Sequence, residues 1–116
     1  MPKKTKGIEL SGYRAMWLFA LFDLPVDSKT ARRQYAQFRK ALIKAGFTML
    51  QYSVYARFCA SEESAEIIKK KVRSAIPPEG QVRLLMVTDK QFEKMETYWG
   101  KKRVPAEDPP MQLEFF

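Results

Sequence analysis

Residues 15–22 read Ala-Met-Trp-Leu-Phe-Ala-Leu-Phe, and Asp23 ends this apolar run. About eight consecutive apolar residues, rich in aromatic rings and bounded by a charge, are typical of a strand that is buried on both faces. Both faces of the sheet that holds this strand must therefore be covered, which limits the folds that the rest of the chain can build.

An amphipathic helix is predicted directly after this strand. Pro25 ends the strand, and Asp27 or Ser28 can cap the helix. Apolar residues then recur at three- and four-residue spacing until Gly46, a residue type that commonly ends helices. The pattern favours a helix with one apolar stripe and a basic outer side.

The second half of the domain repeats the order of strand and helix. Residues 47–59 are rich in β-branched and aromatic side chains but too long for one strand, so we predict two strands joined by a bend at residues 51–53. Ser61 can cap a second helix, which Pro77-Pro78 ends, and residues 82–88 form another strand.

The resulting order of strand, helix, strand, strand, helix, strand predicts an α+β, ferredoxin-like βαββαβ fold. A short helical turn over residues 89–95 and a short edge strand over residues 98–100 complete it. Both long helices would cover one face of a four-stranded antiparallel sheet and leave the other face bare. Because the strands are apolar on both faces, a second copy of the same sheet is the simplest cover, so we expect a homodimer that packs sheet face to sheet face.

The chain is predicted to divide into four segments. A core domain holds the predicted elements, and a charged, proline-rich stretch after it is expected to be a linker without secondary structure. The apolar end of the chain is expected to dock as an extra strand on a partner subunit rather than to fray. The segments are a flexible basic arm (1–12), the ferredoxin-like domain (13–100), the linker (101–110) and the C-terminal docking strand (111–116).

The charge of the chain indicates a polyanionic partner. The 116 residues carry 21 Lys and Arg against 13 Asp and Glu, a formal net charge of +8. The stretch from Ser28 to Ser61 contains no acidic residue, and its seven basic residues are Lys29, Arg32, Arg33, Arg39, Lys40, Lys44 and Arg57.

Several kinds of chemistry are excluded by composition. The sequence has no His and a single cysteine, Cys59, which rules out His metal ligation, Cys-His and Ser-His catalysis and an intrachain disulfide. Cys59 is interpreted as a small buried apolar residue. The chain shows no signal-peptide pattern and no apolar run of about 18 residues, so we expect a cytoplasmic protein without a membrane segment.

Three segments together resemble a known family. They are Tyr13-Arg14-Ala15-Met16-Trp17-Leu18-Phe19-Ala20-Leu21-Phe22-Asp23-Leu24-Pro25, Gly46-Phe47-Thr48-Met49-Leu50-Gln51-Tyr52-Ser53-Val54-Tyr55 and Leu84-Leu85-Met86-Val87-Thr88-Asp89-Lys90-Gln91-Phe92. Over residues 13–99 the sequence resembles the small CRISPR-associated adaptation proteins, the Cas-two family, in the form that accompanies single-effector (type II) systems.

The resemblance implies a ferredoxin-like homodimer at the centre of a complex with the CRISPR integrase, where it holds the double-stranded DNA fragment that becomes a new spacer. Members of the family have also been described as metal-dependent nucleases that act on RNA or DNA. In them the aspartate at the end of the first strand, here Asp23, binds magnesium, and its two copies face each other across the dimer axis.

From the residues alone, the role of Asp23 has two interpretations. Its carboxylate suits Mg²⁺, which prefers oxygen ligands, and it equally suits backbone N–H groups before Pro25. One carboxylate per chain, with no His, no acidic cluster and no evident general base, is little equipment for phosphodiester hydrolysis. Asp27 is either a second ligand or a helix cap, and the cap is the favoured interpretation.

The basic residues of the first helix form either a solvated face or a phosphate-binding surface, and the lack of compensating acids favours phosphate contact. The predicted contacts are Arg32, Arg33, Arg39 and Lys40, followed by Arg14 and Arg57. Lys69, Lys70 and Lys71 span most of a helix turn and cannot all face one ligand.

Three aromatic residues have two interpretations as well. They are either base-stacking platforms, as in RNA-binding sheets of this topology, or parts of the core or the dimer interface, which is favoured. The three are Tyr52, Tyr55 and Phe58.

Three functions remain in view. The first is a structural subunit of the spacer-acquisition complex, which bridges integrase subunits and binds DNA backbone. The second is a Mg²⁺-dependent endonuclease, acting on single-stranded RNA or double-stranded DNA, with paired Asp23 carboxylates. The third is a stand-alone RNA-binding module, which would be a monomer.

Overall fold

A computed structural model of the chain describes residues 15–110. The predicted arm, Arg14 and the predicted docking strand (111–116) lie outside the described residues. The elements are β1 Met16–Asp23, α1 Lys29–Lys44, β2 Thr48–Gln51, β3 Val54–Cys59, α2 Glu62–Ala75, β4 Gln81–Thr88, α3 Asp89–Glu93, β5 Thr97–Trp99 and β6 Lys102–Val104. The predicted α+β order is confirmed.

A four-stranded antiparallel sheet in the order β2-β3-β1-β4 forms the centre of the fold. β1 pairs with β3 on one side and β4 on the other, so that Leu21 lies opposite both Val54 and Arg83. Five consecutive residues at the start of β1, Met16 to Ala20, are buried. The central position of β1 explains why it is apolar without alternation, and the burial of Met16 to Ala20 confirms that both faces are covered over this part of the strand.

One face of the sheet packs against α1 and α2. The helices lie on it because each has one apolar stripe, and this face takes the even-numbered residues of β1. The buried cluster consists of Leu18, Ala20, Phe22, Leu24, Phe38, Leu42, Phe47, Tyr55, Cys59, Ala65, Ile68 and Val72.

The ends of α1 follow from local sequence. Ser28 is the N-cap, and its hydroxyl accepts a hydrogen bond from the backbone N–H of Ala31 at 3.0 Å. The sequence offered Asp27 or Ser28 as the cap, and the prediction of Asp27 is therefore wrong. At the other end Gly46, with φ +95°, donates its N–H to the carbonyl of Ile43 at 3.0 Å, and this closure depends on a backbone conformation that glycine adopts easily.

Both predicted ends of α2 are also confirmed. Ser61 is its N-cap and forms a capping box with Ser64, each side chain accepting the backbone N–H of the other residue. The chain leaves the helix at Ile76, whose extended backbone precedes Pro77-Pro78.

The predicted bend between β2 and β3 is a two-residue turn at Tyr52 and Ser53. Ser53 has φ +64°, a left-handed conformation uncommon for a residue other than glycine. Its carbonyl accepts the backbone N–H of Phe22 at 3.1 Å. The turn is therefore fixed to the end of the central strand, although no glycine or proline marks it in the sequence.

The second face of the sheet is partly covered by the chain itself. The ring of Phe92 in α3 stacks on Trp17 with centroids 4.0 Å apart, and the Nε1–H of Trp17 donates to Asp89 Oδ1 at 2.9 Å. Ala106 packs on the same cluster. The expectation that this face is left bare is therefore wrong for its Trp17 end. A groove of about 370 Å³ remains open near Leu21.

The stretch predicted as a linker holds a strand. β5 and β6 pair antiparallel around Gly100, which has φ +65°, and form a sheet of their own. The expectation that residues 101–110 hold no secondary structure is therefore wrong for Lys102–Val104. The predicted short strand exists, over Thr97–Trp99. It is not an edge strand of the main sheet, because it pairs with β6 instead.

Candidate nucleic-acid interface

Asp23 is the last residue of β1, and its side chain is exposed. Side chains alternate between the faces of a strand, so Asp23 is on the same face as Trp17, Phe19 and Leu21, the face opposite α1 and α2. The carboxylate therefore lies at the rim of the partly open apolar face.

The backbone around Asp23 is held by the loop before β4. Asp23 pairs with Gln81, and the preceding residue, Gly80, has φ +99°. A Cβ atom on Gly80 would lie 2.8 Å from the Asp23 carbonyl oxygen and 2.6 Å from Leu24 Cδ2. Only glycine fits here without displacing the strand end that presents Asp23.

Within residues 15–110, no group of three or more Asp, Glu, Cys or His side chains is arranged to hold a metal ion. Mg²⁺ in proteins is commonly held by one or two carboxylates together with water and substrate phosphate oxygens. One exposed Asp23 fits such an ion only if a second copy or a nucleic acid supplies further oxygen ligands.

The exposed side of α1 carries four of the predicted phosphate contacts. At 100° per residue, Arg32 and Arg39 lie along one row of the helix. Arg33 and Lys40 lie along a second row, which is farther from the core. All four side chains are exposed. The structure therefore brings these four cations together on one surface, which we call the α1 cationic surface.

Two of these cations are oriented by their own hydrogen bonds. Arg32 Nη1 donates to the carbonyl of Val26 at 3.1 Å, and Arg39 Nε donates to the hydroxyl of Tyr55 at 2.8 Å. Among the described residues, no salt bridge neutralises any cation of α1, since the one that is found joins Lys69 to Glu66 at 3.2 Å in α2.

Arg57 lies at the other end of α1. Its Nε donates to the carbonyl of Ala45 at 2.8 Å, and its Nη1 donates to the carbonyl of Phe58 at 3.1 Å. The side chain is half-buried, its Nε caps the C-terminal end of the helix, and its Nε and Nη1 are both engaged within the fold. The structure does not bring Arg57 together with Arg32 at the first turn of α1.

Burial raises the pKa of the Cys59 thiol above its usual value of 9.0, and the nearby Arg57 opposes this shift. The thiol is fully buried in the core. The interpretation of Cys59 as a buried apolar residue is confirmed.

The three aromatic residues with two interpretations separate clearly. Tyr55 is 1% exposed in the core and Phe58 packs in the second-face cluster, whereas Tyr52 is 77% exposed. The ring of Tyr52 lies nearly parallel to that of Tyr35, with centroids 6.3 Å apart and planes inclined by 24°. The neighbouring hydroxyl of Tyr35 raises the pKa of Tyr52 above its usual 10.0, first by hydrogen bonding and then by charge repulsion.

Sequence reasoning missed Tyr35 as a partner of Tyr52. Tyr35 falls on the apolar stripe of α1, which predicts a core position, and it is half-buried. Its hydroxyl instead lies 3.3 Å from Ser53 Oγ, at the edge of the core beside the β2–β3 turn. The contact depends on the position of the turn between β2 and β3. The sequence does not mark that position, because the turn contains neither Gly nor Pro.

These features define a class: small ferredoxin-like α+β domains with an exposed cationic helix, suited to binding nucleic acid. Comparison with known proteins places the chain within it more narrowly. The family model described as CRISPR associated protein Cas2 matches residues 16–95, and the chain belongs to this family. The resemblance drawn from the sequence is thereby confirmed.

Curated relatives agree with this assignment. A protein of Parvibaculum lavamentivorans, named CRISPR-associated endoribonuclease Cas2, is 52% identical over 101 residues, which cover 87% of this chain and 100% of that protein. A protein of the same name from Flavobacterium psychrophilum is 44% identical over 107 residues, covering 92% of this chain and 93% of that protein.

A solved structure titled "Crystal structure of cas2" supports the fold. It matches with a TM-score of 0.53 and 17% sequence identity, covering 81% of this chain and 97% of that one. In residues 15–110, no helix is long and apolar enough to cross a membrane.

Proposed function

We propose that the protein is a structural subunit of the CRISPR spacer-acquisition complex, a dimer that bridges integrase subunits and binds the backbone of the DNA fragment to be integrated. The observation that carries this proposal is the α1 cationic surface. Its four exposed cations lie in a stretch of the chain without any acidic residue, from Ser28 to Ser61.

The arrangement suits phosphates rather than bases. Residues on two rows of one helix can follow a phosphate backbone over about two turns, and contacts of this kind position a duplex without reading its sequence. The proposed role needs such contacts, because a fragment destined to become a spacer can have any sequence.

The open part of the second face supports a dimer. Leu85 is 50% exposed there although it lies in an apolar strand, and a groove runs beside it between Leu21 and Met95. Asp23 is on the same face of the sheet as this groove. A second copy packed on it about a two-fold axis would bring the two Asp23 carboxylates toward each other.

The alternative function is a Mg²⁺-dependent endonuclease acting on single-stranded RNA or double-stranded DNA. The endoribonuclease names of the relatives favour it. In this alternative the paired Asp23 carboxylates of a dimer hold a metal ion that orients the attacking water.

The proposed function predicts duplex binding that depends on salt and not on sequence. We expect two unrelated duplexes of equal length to bind with equal affinity, because backbone contacts carry no sequence information. The slope of log K against log salt concentration should be about −0.9 for each phosphate contacted. Fluorescence anisotropy across a salt series measures both quantities, and sedimentation of the same sample tests the dimer. A slope near zero, or a monomer, would contradict the proposal.

The Asp23→Asn variant separates the two functions. We expect it to bind duplex DNA at least as well as the unchanged protein, because a negative charge that repels phosphates is lost. Any Mg²⁺-dependent cleavage of single-stranded RNA or duplex DNA should disappear in this variant, since the amide is a poor metal ligand.

Asp108→Asn is the matched control, as an exposed carboxylate after β6 with no proposed metal role. Cleavage that survives Asp23→Asn would show that the nuclease activity does not come from this site. Loss of cleavage in Asp23→Asn but not in Asp108→Asn would favour the endonuclease alternative.

A further inference from the structure

We infer that Tyr52, backed by Tyr35, is a stacking platform for one unpaired base of a bound nucleic acid. This inference rests on the proposed binding of nucleic acid and adds a contact of a different kind, because the α1 cationic surface recognises backbone only. It implies that the bound fragment presents a single-stranded nucleotide at the turn between β2 and β3.

The exposure of Tyr52 is the first observation. Its side chain is 77% exposed, the largest value among the large apolar and aromatic side chains exposed in the described part of the chain. One side of the ring faces Tyr35 in an offset, nearly parallel arrangement. With so much of the side chain in solvent, the other side of the ring is available to a planar group.

The neighbours that support Tyr52, Ser53 in the turn and Tyr35 behind the ring, are held in place. Ser53 adopts its left-handed conformation directly after it, accepts the backbone N–H of Phe22, and places its hydroxyl 3.3 Å from that of Tyr35. Tyr35 in turn packs edge-on against Phe22, with centroids 5.9 Å apart. A preorganised aromatic ring loses little conformational entropy when a base stacks on it.

Two arginines flank Tyr35, the ring behind Tyr52, along α1. Arg32, Tyr35 and Arg39 occupy positions i, i+3 and i+7 of α1 and so lie on one side of the helix. The hydrogen bond from Arg39 to Tyr55 places the guanidinium of Arg39 beside β3, the strand that continues from the turn. An exposed ring stacked on a helix residue that lies between two arginines matches the combination of base stacking and phosphate neutralisation found in proteins that bind single-stranded nucleic acid.

The base must be unpaired. Within a duplex each base is already stacked on its neighbours, so a tyrosine ring beside the duplex can reach the face of a base only at a splayed end or in a single strand. A neutral ring that carries no specific hydrogen-bond code would accept any base.

The test compares Tyr52→Ala with the unchanged protein, using two probes of equal length. One probe is a single-stranded oligothymidine with one 2-aminopurine, whose fluorescence falls when it stacks, and the other is a blunt duplex. We expect Tyr52→Ala to bind the single strand about 5- to 150-fold more weakly and to abolish the fluorescence quenching. Duplex affinity should be unchanged.

Two variants serve as controls. Tyr52→Phe keeps the ring and should bind and quench like the unchanged protein. If the hydroxyl were responsible, Tyr52→Phe would behave like Tyr52→Ala instead. Tyr98→Ala removes another tyrosine that is 52% exposed, in β5, and should leave both probes unaffected.

The outcomes distinguish this inference from the proposed function. Normal single-strand binding and quenching by Tyr52→Ala, with duplex binding intact, would overturn the platform and leave the backbone-binding role standing. If the unchanged protein bound neither probe, both the proposed function and the stacking platform would be contradicted. A changed sedimentation coefficient of Tyr52→Ala would assign the ring to a contact between copies of the chain and overturn the inference.

Discussion

Duplex DNA is expected to bind about 100-fold more weakly at physiological salt once the four cations of the α1 cationic surface are replaced by Ala, namely Arg32, Arg33, Arg39 and Lys40. Each lost phosphate contact should also reduce the slope of log K against log salt by about 0.9. If all four side chains contact phosphates, the slope therefore falls by about 3.6. Anisotropy titrations at several salt concentrations measure both effects.

A milder pair of substitutions separates charge from structure. Arg32 and Arg39 also bond to protein groups, so their loss can disturb the helix. Arg33→Gln with Lys40→Gln removes only exposed charge and should give about half of the change in slope. The matched control removes two exposed lysines from α2, Lys70 and Lys71. If the α1 pair weakened duplex binding no more than the α2 pair, the proposed interface would be on the wrong helix.

The second large effect concerns stability. Phe22→Ala is expected to lower the free energy of unfolding by about 3–5 kcal/mol, as is common when a buried aromatic residue is truncated. Phe22 is 8% exposed and contacts three other rings, those of Tyr35, Phe38 and Tyr55, with centroids 5.9, 5.1 and 5.6 Å away. Its loss would leave a cavity beneath the turn that carries Tyr52. Urea denaturation followed by circular dichroism measures the change.

Ile43→Ala provides the comparison. Ile43 is in α1 but is 48% exposed, so its truncation should cost no more than about 0.5 kcal/mol. Phe22→Leu, which keeps most of the buried volume, should fall between the two variants. Equal stabilities for Phe22→Ala and Ile43→Ala would show that the aromatic cluster does not hold the sheet to α1.

Local patterns predicted the elements that depend on neighbouring residues. The cap of α1 and the closure at Gly46 are set within one helical turn, so the sequence shows the closure directly and narrows the cap to Asp27 or Ser28, of which the structure uses Ser28. The bend after Gln51 was found from strand length alone, since its left-handed residue, Ser53, is neither Gly nor Asn. The strand at Lys102–Val104 was missed because charge and proline nearby outweighed the turn signal of Gly100.

Distant contacts were beyond the reach of such patterns. Trp17 and Asp89 are 72 residues apart in the chain, and their hydrogen bond depends on how α3 folds back over the sheet. The half-buried position of Arg57, with its Nε on the end of α1, likewise follows from the packing of β3 against that helix. The neighbouring sequence of a basic residue in a strand is the same whether its side chain binds a phosphate or a backbone carbonyl group.

The sequence by itself determined the central strand that ends at Asp23, the two helices that cover one face of its sheet, and the cationic outer side of α1. These features depend on which residue types are apolar or charged and on how they are spaced, and both are visible in the sequence. Only the tertiary structure decided that Tyr52 stacks on Tyr35 and that Asp23 shares a face with an open apolar groove. Both depend on strand register and on a turn that joins separate elements, and register is fixed by the whole core rather than by any one segment.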